Sequence, residues 1–100
     1  MPTNSEQLVW AARQGDTDRL TEFLNEGADP NKTDNTGNVA LIEASSRGHL
    51  QTVRLLLQRG ADIDVHGRFR ETALIMAVWS GHVEVTNILL HGGADPNFEV

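Results

Sequence analysis

The four histidines are the side chains of this sequence best suited to bind a metal. His49 and His82 each follow a glycine and lie 33 residues apart, while His66 falls in a turn-forming segment and His91 near the end of an apolar one. Zinc sites need His, Cys, Asp or Glu ligands at close, characteristic spacings, and none of these histidines has such neighbours. The sequence therefore predicts no metal site and no cofactor.

The carboxylates give no better sign of catalysis. Asp29, Asp62 and Asp95 recur at the same interval of 33 residues. This recurrence favours a structural role in a turn, where an aspartate accepts hydrogen bonds from nearby backbone N–H groups. The chain has no cysteine, and it contains neither a Gly-x-Ser-x-Gly nor a Gly-x-x-x-x-Gly-Lys string. We expect a protein that is not an enzyme.

Length and charge narrow the remaining classes. One hundred residues form a single domain. A net charge of −6 argues against binding to nucleic acid or to anionic membrane surfaces, and favours solubility or, alternatively, a partner with a basic patch. No apolar segment approaches the ~20 residues that cross a bilayer, and the polar start lacks a signal-peptide pattern. A small domain without disulfides predicts an intracellular protein, in the cytoplasm.

The elements that position these side chains follow from an internal repeat. Residues 34–64 and 67–97 align at an offset of 33 with eleven of 31 positions identical, and residues 8–31 fit the same frame. Seven positions agree in all three copies. They are Leu8/Leu41/Leu74, Ala11/Ala44/Ala77, Gly15/Gly48/Gly81, Leu24/Leu57/Leu90, Gly27/Gly60/Gly93, Ala28/Ala61/Ala94 and Asp29/Asp62/Asp95.

Each copy predicts two short helices and a turn. In the middle copy Leu41 and Ala44 lie one helical turn apart, and Gly48 ends the helix because glycine adopts positive φ at little cost. A second apolar stripe follows at helical spacing: Val53, Leu56 and Leu57. Because one helix pair cannot bury its own stripe, the copies must stack, with the repeated alanines keeping helices close and the repeated leucines filling the space between neighbours.

This pattern resembles the ankyrin repeat from about Ser5 to Asn97, most specifically in the strings GHLQTVRLLLQRGADID and GHVEVTNILLHGGADPN. The resemblance implies an all-α solenoid of antiparallel helix pairs joined by short turns or hairpins. It also implies one domain over residues 1–100, with repeats at about 1–33, 34–66 and 67–100.

The chain departs from this family at the start of the first helix. The family usually has Thr-Pro-Leu-His there, whereas this chain has Val-Ala-Leu-Ile at 39–42 and Thr-Ala-Leu-Ile at 72–75. We expect these departures to remove the hydrogen bonds of the family's Thr and His and to leave a more apolar contact between repeats.

In the ankyrin family, protein partners commonly bind in a groove lined by the turn tips and by the exposed face of each first helix. Residues that do not recur between copies are free to recognise a partner. By this resemblance the groove contains Trp10, Arg13, Gln14, Glu43, Ser46, Arg47, Met76, Trp79 and Ser80 on the helices, and Asn35, Thr36, Asn38, Arg68, Phe69 and Glu71 on the tips. The resemblance thus implies a protein-interaction module whose partner the sequence does not name.

Trp79 and Phe69 are the predicted anchors of that groove, because large aromatics often dominate binding energy, and Met76 extends the apolar patch. Arg68 and Arg70 flank Phe69 and suit an acidic partner, or a carboxylate or phosphate group. The alternatives are structural. Trp79 then folds onto Met76 and Phe69, Trp10 covers the N-terminal edge, and the third tip is a tolerated substitution.

The last copy has no following repeat to cover all of Ile88, Leu89 and Leu90. This predicts a homodimer through the C-terminal repeat, an excerpt of a longer array, or an engineered chain. The alternative function is therefore a minimal or engineered repeat scaffold, or a self-associating solenoid, without a natural ligand.

Overall fold

Six α-helices make up the protein over residues 4–96, which are the residues that the computed structural model describes, and this part of the chain contains no strand. The helices pack in three antiparallel pairs, one in each repeat. The pairs are α1 (Asn4–Gln14) with α2 (Thr17–Asn25), α3 (Ala40–Ser46) with α4 (Leu50–Gln58), and α5 (Ala73–Trp79) with α6 (Val83–His91). The predicted helix pairs are confirmed, and the connections between them are turns rather than paired strands in the described chain.

The helices form two layers. The first helix of each pair, α1, α3 and α5, packs beside its equivalents, and α2, α4 and α6 form the layer behind them. The first helices lie closer to one another than the second helices do, since Ala11, Ala44 and Ala77 are fully buried between them. Closer packing in one layer curves a solenoid toward that layer, so the first helices line the concave side.

The core follows the predicted pattern in the first helices and departs from it in the second. One recurring leucine of each first helix is almost fully buried: Leu8, Leu41 and Leu74. In α4, Val53 and Leu56 are fully buried, but Leu57 is only half-buried. Leu24 and Leu57 thus fill the space between repeats only in part, since they are half-buried against the core, and Leu90 in the last repeat is 43% exposed. One residue along a helix turns the side chain by about 100°, away from the inner layer.

A histidine fixes the contact between successive repeats. The His82 ring nitrogen Nε2 lies 3.1 Å from the Ser46 carbonyl oxygen, and His49 Nε2 lies 2.9 Å from that of Arg13. Gly48 has a φ of 74° and lies beneath the His82 ring, where an added Cβ would come within 2.6 Å of Nδ1. Glycine is thus required here twice, for its left-handed backbone and for the room that it leaves to the ring.

The starts of α3 and α5 differ. Thr72 Oγ1 accepts a hydrogen bond from the Ile75 backbone N–H at 3.2 Å and so caps α5. The expected loss of this hydrogen bond was wrong for the third repeat. Val39 takes the same place before α3 and provides no side-chain cap, so the prediction is confirmed in the second repeat.

Two buried hydroxyl groups have no hydrogen-bond partner in the described chain, Ser45 Oγ and Thr52 Oγ1. The equivalent residues of other repeats are Ala12 and Val85, which are also buried. We expect Ser45→Ala and Thr52→Val each to raise the free energy of unfolding by about 1 kcal/mol, because each removes a desolvated polar group. Urea unfolding followed by circular dichroism measures the change. A loss of stability would contradict the assignment of an unsatisfied hydroxyl.

Gly48 and Gly81 offer a matched test of the histidine contact. Their φ values are 74° and 76°, so alanine at either position adopts the left-handed region at a cost of about 1 kcal/mol. A Cβ on Gly81 meets no atom within 4 Å, whereas one on Gly48 collides with His82. We expect Gly48→Ala to lose at least about 1 kcal/mol more unfolding free energy than Gly81→Ala. Equal losses in urea unfolding would mean that the ring moves aside freely.

Candidate functional site

Apart from Trp10, the predicted groove residues lie along the first helices and on two turn tips, and we call this surface the concave face. The tips are residues 34–38 and 67–71, called the second and third tips because they lead into the second and third repeats. The tips are adjacent, since a Cβ on Gly37 would lie 3.4 Å from Arg68 Cδ. The packing of α1, α3 and α5 side by side brings the three helical sets into line.

Glu43 joins the first two repeats on this face. Its two carboxylate oxygens lie 3.4 Å from Arg13 Nε and Nη2, and Oε2 also lies 3.8 Å from Arg47 Nε. Partly exposed ion pairs of this kind contribute at most about 1 kcal/mol. Glu43 and Arg13 are half-buried and hold each other, while the Arg47 side chain stays 52% exposed. Arg47 is therefore the member of this cluster best placed to meet a partner.

Asp34 organises the second tip. Its Oδ1 accepts hydrogen bonds at 2.9 Å from the backbone N–H groups of Thr36 and Asn38, and its Oδ2 accepts one at 3.1 Å from Asn38 Nδ2. Burial raises the pKa of Asp34, but the hydrogen bonds from Asn38 and Thr36 outweigh it and lower the pKa below its usual value. Asn38 is thereby half-buried, whereas Asn35 and Thr36 are exposed.

The third tip reaches a similar shape by a different route. Gly67 stands where the second repeat has Asp34, and Glu71 stands where it has Asn38. The Glu71 carboxylate accepts a hydrogen bond from the Phe69 backbone N–H at 3.0 Å and fills the space above Gly67 in which a Cβ would collide. The structure places Glu71, a predicted contact residue, half-buried inside the tip.

Arg70 was predicted to flank Phe69 and to suit an acidic group, although it was not among the predicted groove residues. It is exposed, and it has a φ of 64° at the position where Gly37 has 83°. A non-glycine residue in this region is strained, and such strain is concentrated at functional sites. The available signal was an arginine at a tip position that holds glycine in the repeat before it.

The predicted aromatic anchors are open to solvent. Trp79 is 83% exposed and Phe69 is 76% exposed. The Arg68 guanidinium lies 5.2 Å from the centroid of the Phe69 ring, a cation–π contact. Met76 is half-buried against the core and Ser80 is exposed at the end of α5. An indole this exposed is not covered by Met76 and Phe69, so the alternative of a closed cluster is wrong.

Trp10 lies elsewhere, at the N-terminal end of the stack. It is 48% exposed and lines an open cleft of about 370 Å³ between α1 and α2. The cleft also contains Glu6, Gln7, Arg19 and Phe23. Glu43, which takes the place of Trp10 in the second repeat, contacts Arg13 of the repeat before it. Trp10 belongs to the first repeat, and its position fits the alternative in which it covers the N-terminal edge of the stack. Of the other predicted contacts, Gln14 is exposed and Ser46 is half-buried, its hydroxyl bonded to the Glu43 carbonyl.

The opposite end of the stack is partly apolar. Leu90 is 43% exposed and Ile88 is half-buried, whereas Leu89 is fully buried, so the three residues are not all covered, as predicted. Val78 and Val83 add exposed apolar area, 45% and 68% respectively. The homodimer through this end stays a prediction, and residues 97–100 lie outside the described chain.

The described residues show neither a metal-binding cluster nor a membrane-spanning helix. Within 4–96 no group of three or more His, Asp or Glu side chains is arranged to hold a metal ion. None of the helices in this range combines the length and the apolar character needed to cross a membrane.

Comparison with known proteins identifies the family. A family model described as ankyrin repeats, in three copies, matches residues 8–99. The chain belongs to the ankyrin repeat family, as the sequence pattern predicted, and its members are generally non-catalytic protein-interaction modules. A search among curated proteins finds no significant match.

The hydrogen bonds of Asp34 predict a pH-dependent stability. Asp34→Ala should lower the free energy of unfolding near neutral pH by about 1–2 kcal/mol, because several acceptor bonds in the second tip are lost. The pKa of Asp34 is lowered in the folded state. Its contribution is therefore complete above the unfolded pKa and is lost as the pH falls through the folded one.

Urea unfolding of both chains at about pH 7 and about pH 2.5 measures this difference. We expect the gap between wild type and Asp34→Ala to narrow in acid. A gap that stays constant or widens would contradict the assigned role of the ionised carboxylate.

Proposed function

We propose that this protein is a non-catalytic interaction module whose concave face binds a segment of another protein. The observation that carries the proposal is the exposure of two large aromatic side chains at positions that do not recur, Trp79 at 83% and Phe69 at 76%. Exposed apolar patches mark interaction sites, and tryptophan is the residue type most enriched among residues that dominate binding energy.

The equivalent positions in other repeats support a role outside the fold. Trp79 corresponds to Arg13 and Ser46, and Phe69 corresponds to Thr36. Since polar residues occupy these positions in repeats of the same architecture, stacking does not require an aromatic ring there. The rings are instead presented by a helix end and a braced tip, which suits binding with little change of shape.

Loss of an aromatic anchor should weaken partner binding far more than it weakens the fold. An anchor that a partner buries contributes about 2 kcal/mol or more, which corresponds to a factor of about 30 in Kd. An exposed side chain that touches little in the free protein contributes less than about 0.5 kcal/mol to folding. Binding and stability should therefore separate at Trp79 and Phe69.

Trp79→Ser and Phe69→Thr test the proposal, because each introduces the residue of the second repeat at that position. The ligands are peptides selected on the wild-type chain from a displayed random library, with Kd measured by fluorescence anisotropy. We expect each variant to bind at least about 30-fold more weakly. Its unfolding free energy should stay within about 0.5 kcal/mol of the wild type.

Val83→Thr is the matched control, since Val83 is 68% exposed on α6, away from the concave face, and Thr17 is its equivalent. It should leave peptide binding unchanged. Peptides that bind the two aromatic variants as tightly as the wild type would refute the proposal. Failure to recover any binding peptide would favour the alternative of a scaffold without a ligand.

A further inference from the structure

The exposed carboxylates of the described chain lie outside the concave face. In the described residues, every exposed Asp or Glu lies on a second helix or in one of the loop segments 26–33, 59–66 and 92–96. These residues are Asp18, Glu22, Glu26, Asp29, Asp62, Asp64, Glu84 and Asp95. Only three cationic residues are exposed in the same regions, Arg19, Lys32 and Arg54.

The concave face has the opposite character. Its three carboxylates are half-buried, and each is engaged within this face. Asp34 accepts bonds within the second tip, Glu43 pairs with two arginines, and Glu71 braces the third tip. Three arginines remain exposed on this face: Arg47, Arg68 and Arg70. On a chain with a net charge of −6, the accessible charges of this one surface are therefore positive.

Ionic screening weakens the effect of the acidic second helices on the concave face. The molecule measures 20 Å along its shortest axis, whereas the Debye length is about 8 Å at physiological ionic strength. A ligand on the concave face therefore interacts chiefly with the arginines there, although Asp62 and Asp64 lie only a few residues before the third tip, in the same loop. The carboxylates of α2 and α6 therefore repel an anionic ligand on this surface only weakly.

We infer that the segment recognised by the concave face is an acidic stretch of protein that also carries an apolar side chain. Its apolar group packs on Trp79 and Phe69, and its carboxylates meet Arg68, Arg70 and Arg47. Arginine suits this role because its planar guanidinium can hold a carboxylate through two parallel hydrogen bonds. The inference rests on the proposed function and adds the chemistry of the partner.

A protein segment fits this surface better than a nucleic acid does. Nucleic-acid binding needs many cationic contacts along a continuous phosphate chain, and this face exposes only three arginines. A longer polyanion would extend past them to the acidic loops. A short segment with carboxylates beside an apolar group matches both features of the face.

Peptide selection tests the composition of the ligand directly. Random peptides of about 12 residues span about 40 Å when extended, enough for the 37 Å long axis of the molecule. Peptides recovered on the wild-type chain should be enriched in Asp and Glu beside Trp, Phe or Leu. A selected peptide and its amide form, with every Asp and Glu changed to Asn and Gln, are then compared by anisotropy.

The charged peptide should bind about 10-fold more tightly than the amide form at about 50 mM salt, and the two should converge near about 500 mM. Equal affinities at low salt would overturn the inference.

Arg68→Asn combined with Arg70→Gly tests the protein side, because these are the residues of the second tip, Asn35 and Gly37. Arg70→Gly also removes a non-glycine residue from positive φ, so the fold should be retained. We expect the charged peptide to bind about 5- to 20-fold more weakly at low salt. The matched control, Arg19→Gln with Arg54→Gln, removes the same charge from the second helices and should change Kd by less than about 2-fold.

The possible outcomes distinguish failure of this inference from failure of the proposed function on which it rests. Neutral or basic peptides that still depend on Trp79 and Phe69 would overturn the charge inference and leave the interaction module standing. Peptides that bind both aromatic variants as tightly as the wild type, or a selection that recovers no peptide, would overturn both this inference and the proposed function. A single-stranded oligonucleotide that binds as tightly as the acidic peptide and loses affinity in the Arg68/Arg70 variant would replace the protein partner with a nucleic acid.

Discussion

The contact of a histidine ring with the glycine of the repeat before it is the constraint on which the rest of this structure depends. A single helix pair cannot bury its own apolar stripe, so the fold exists only where repeats stack. His82 lies over Gly48 and bonds to the Ser46 carbonyl, which sets the distance between α3 and α5. Because the same contact recurs at His49, the first helices and the tips of successive repeats line up, and their non-recurring residues other than Trp10 fall on one surface.

Recurrence in the sequence predicted the stack well, since residues in the same place of each repeat meet the same neighbours. Leu41, Ala44 and Gly48 were all assigned correctly from the interval of 33 residues. Recurrence predicted less about the second helices, which form the layer behind the first helices. Leu57 and Leu90 recur as faithfully as Leu41, yet they are partly exposed. Recurrence shows that a position matters to the repeat, but the side of the helix that it occupies depends on how the layers meet.

The candidate site could be predicted only where a residue acts alone. Trp79 and Phe69 stood out because nothing aromatic recurs at their positions, and the structure shows both exposed. Glu71 was assigned to partner contact, but its carboxylate replaces that of Asp34 within a tip whose first residue has become Gly67. A comparison made position by position finds two unrelated substitutions there. The structure shows that the two substitutions are coupled, because the carboxylate that holds the tip together has moved from its first residue to its last.

That exchange also explains how the third tip can expose positive charge. Were a carboxylate at position 67 as in the second repeat, the tip would hold its own backbone and Glu71 would be free to pair with a neighbouring arginine. With Gly67 in place, Glu71 faces inward, and neither Arg68 nor Arg70 forms an ion pair within residues 4–96. Arg70 occupies a backbone position with positive φ that glycine would occupy with less strain. Arg70 therefore departs from the usual preference for glycine at positive φ and leaves an accessible cation. Such departures are typical of a surface that serves recognition rather than stability.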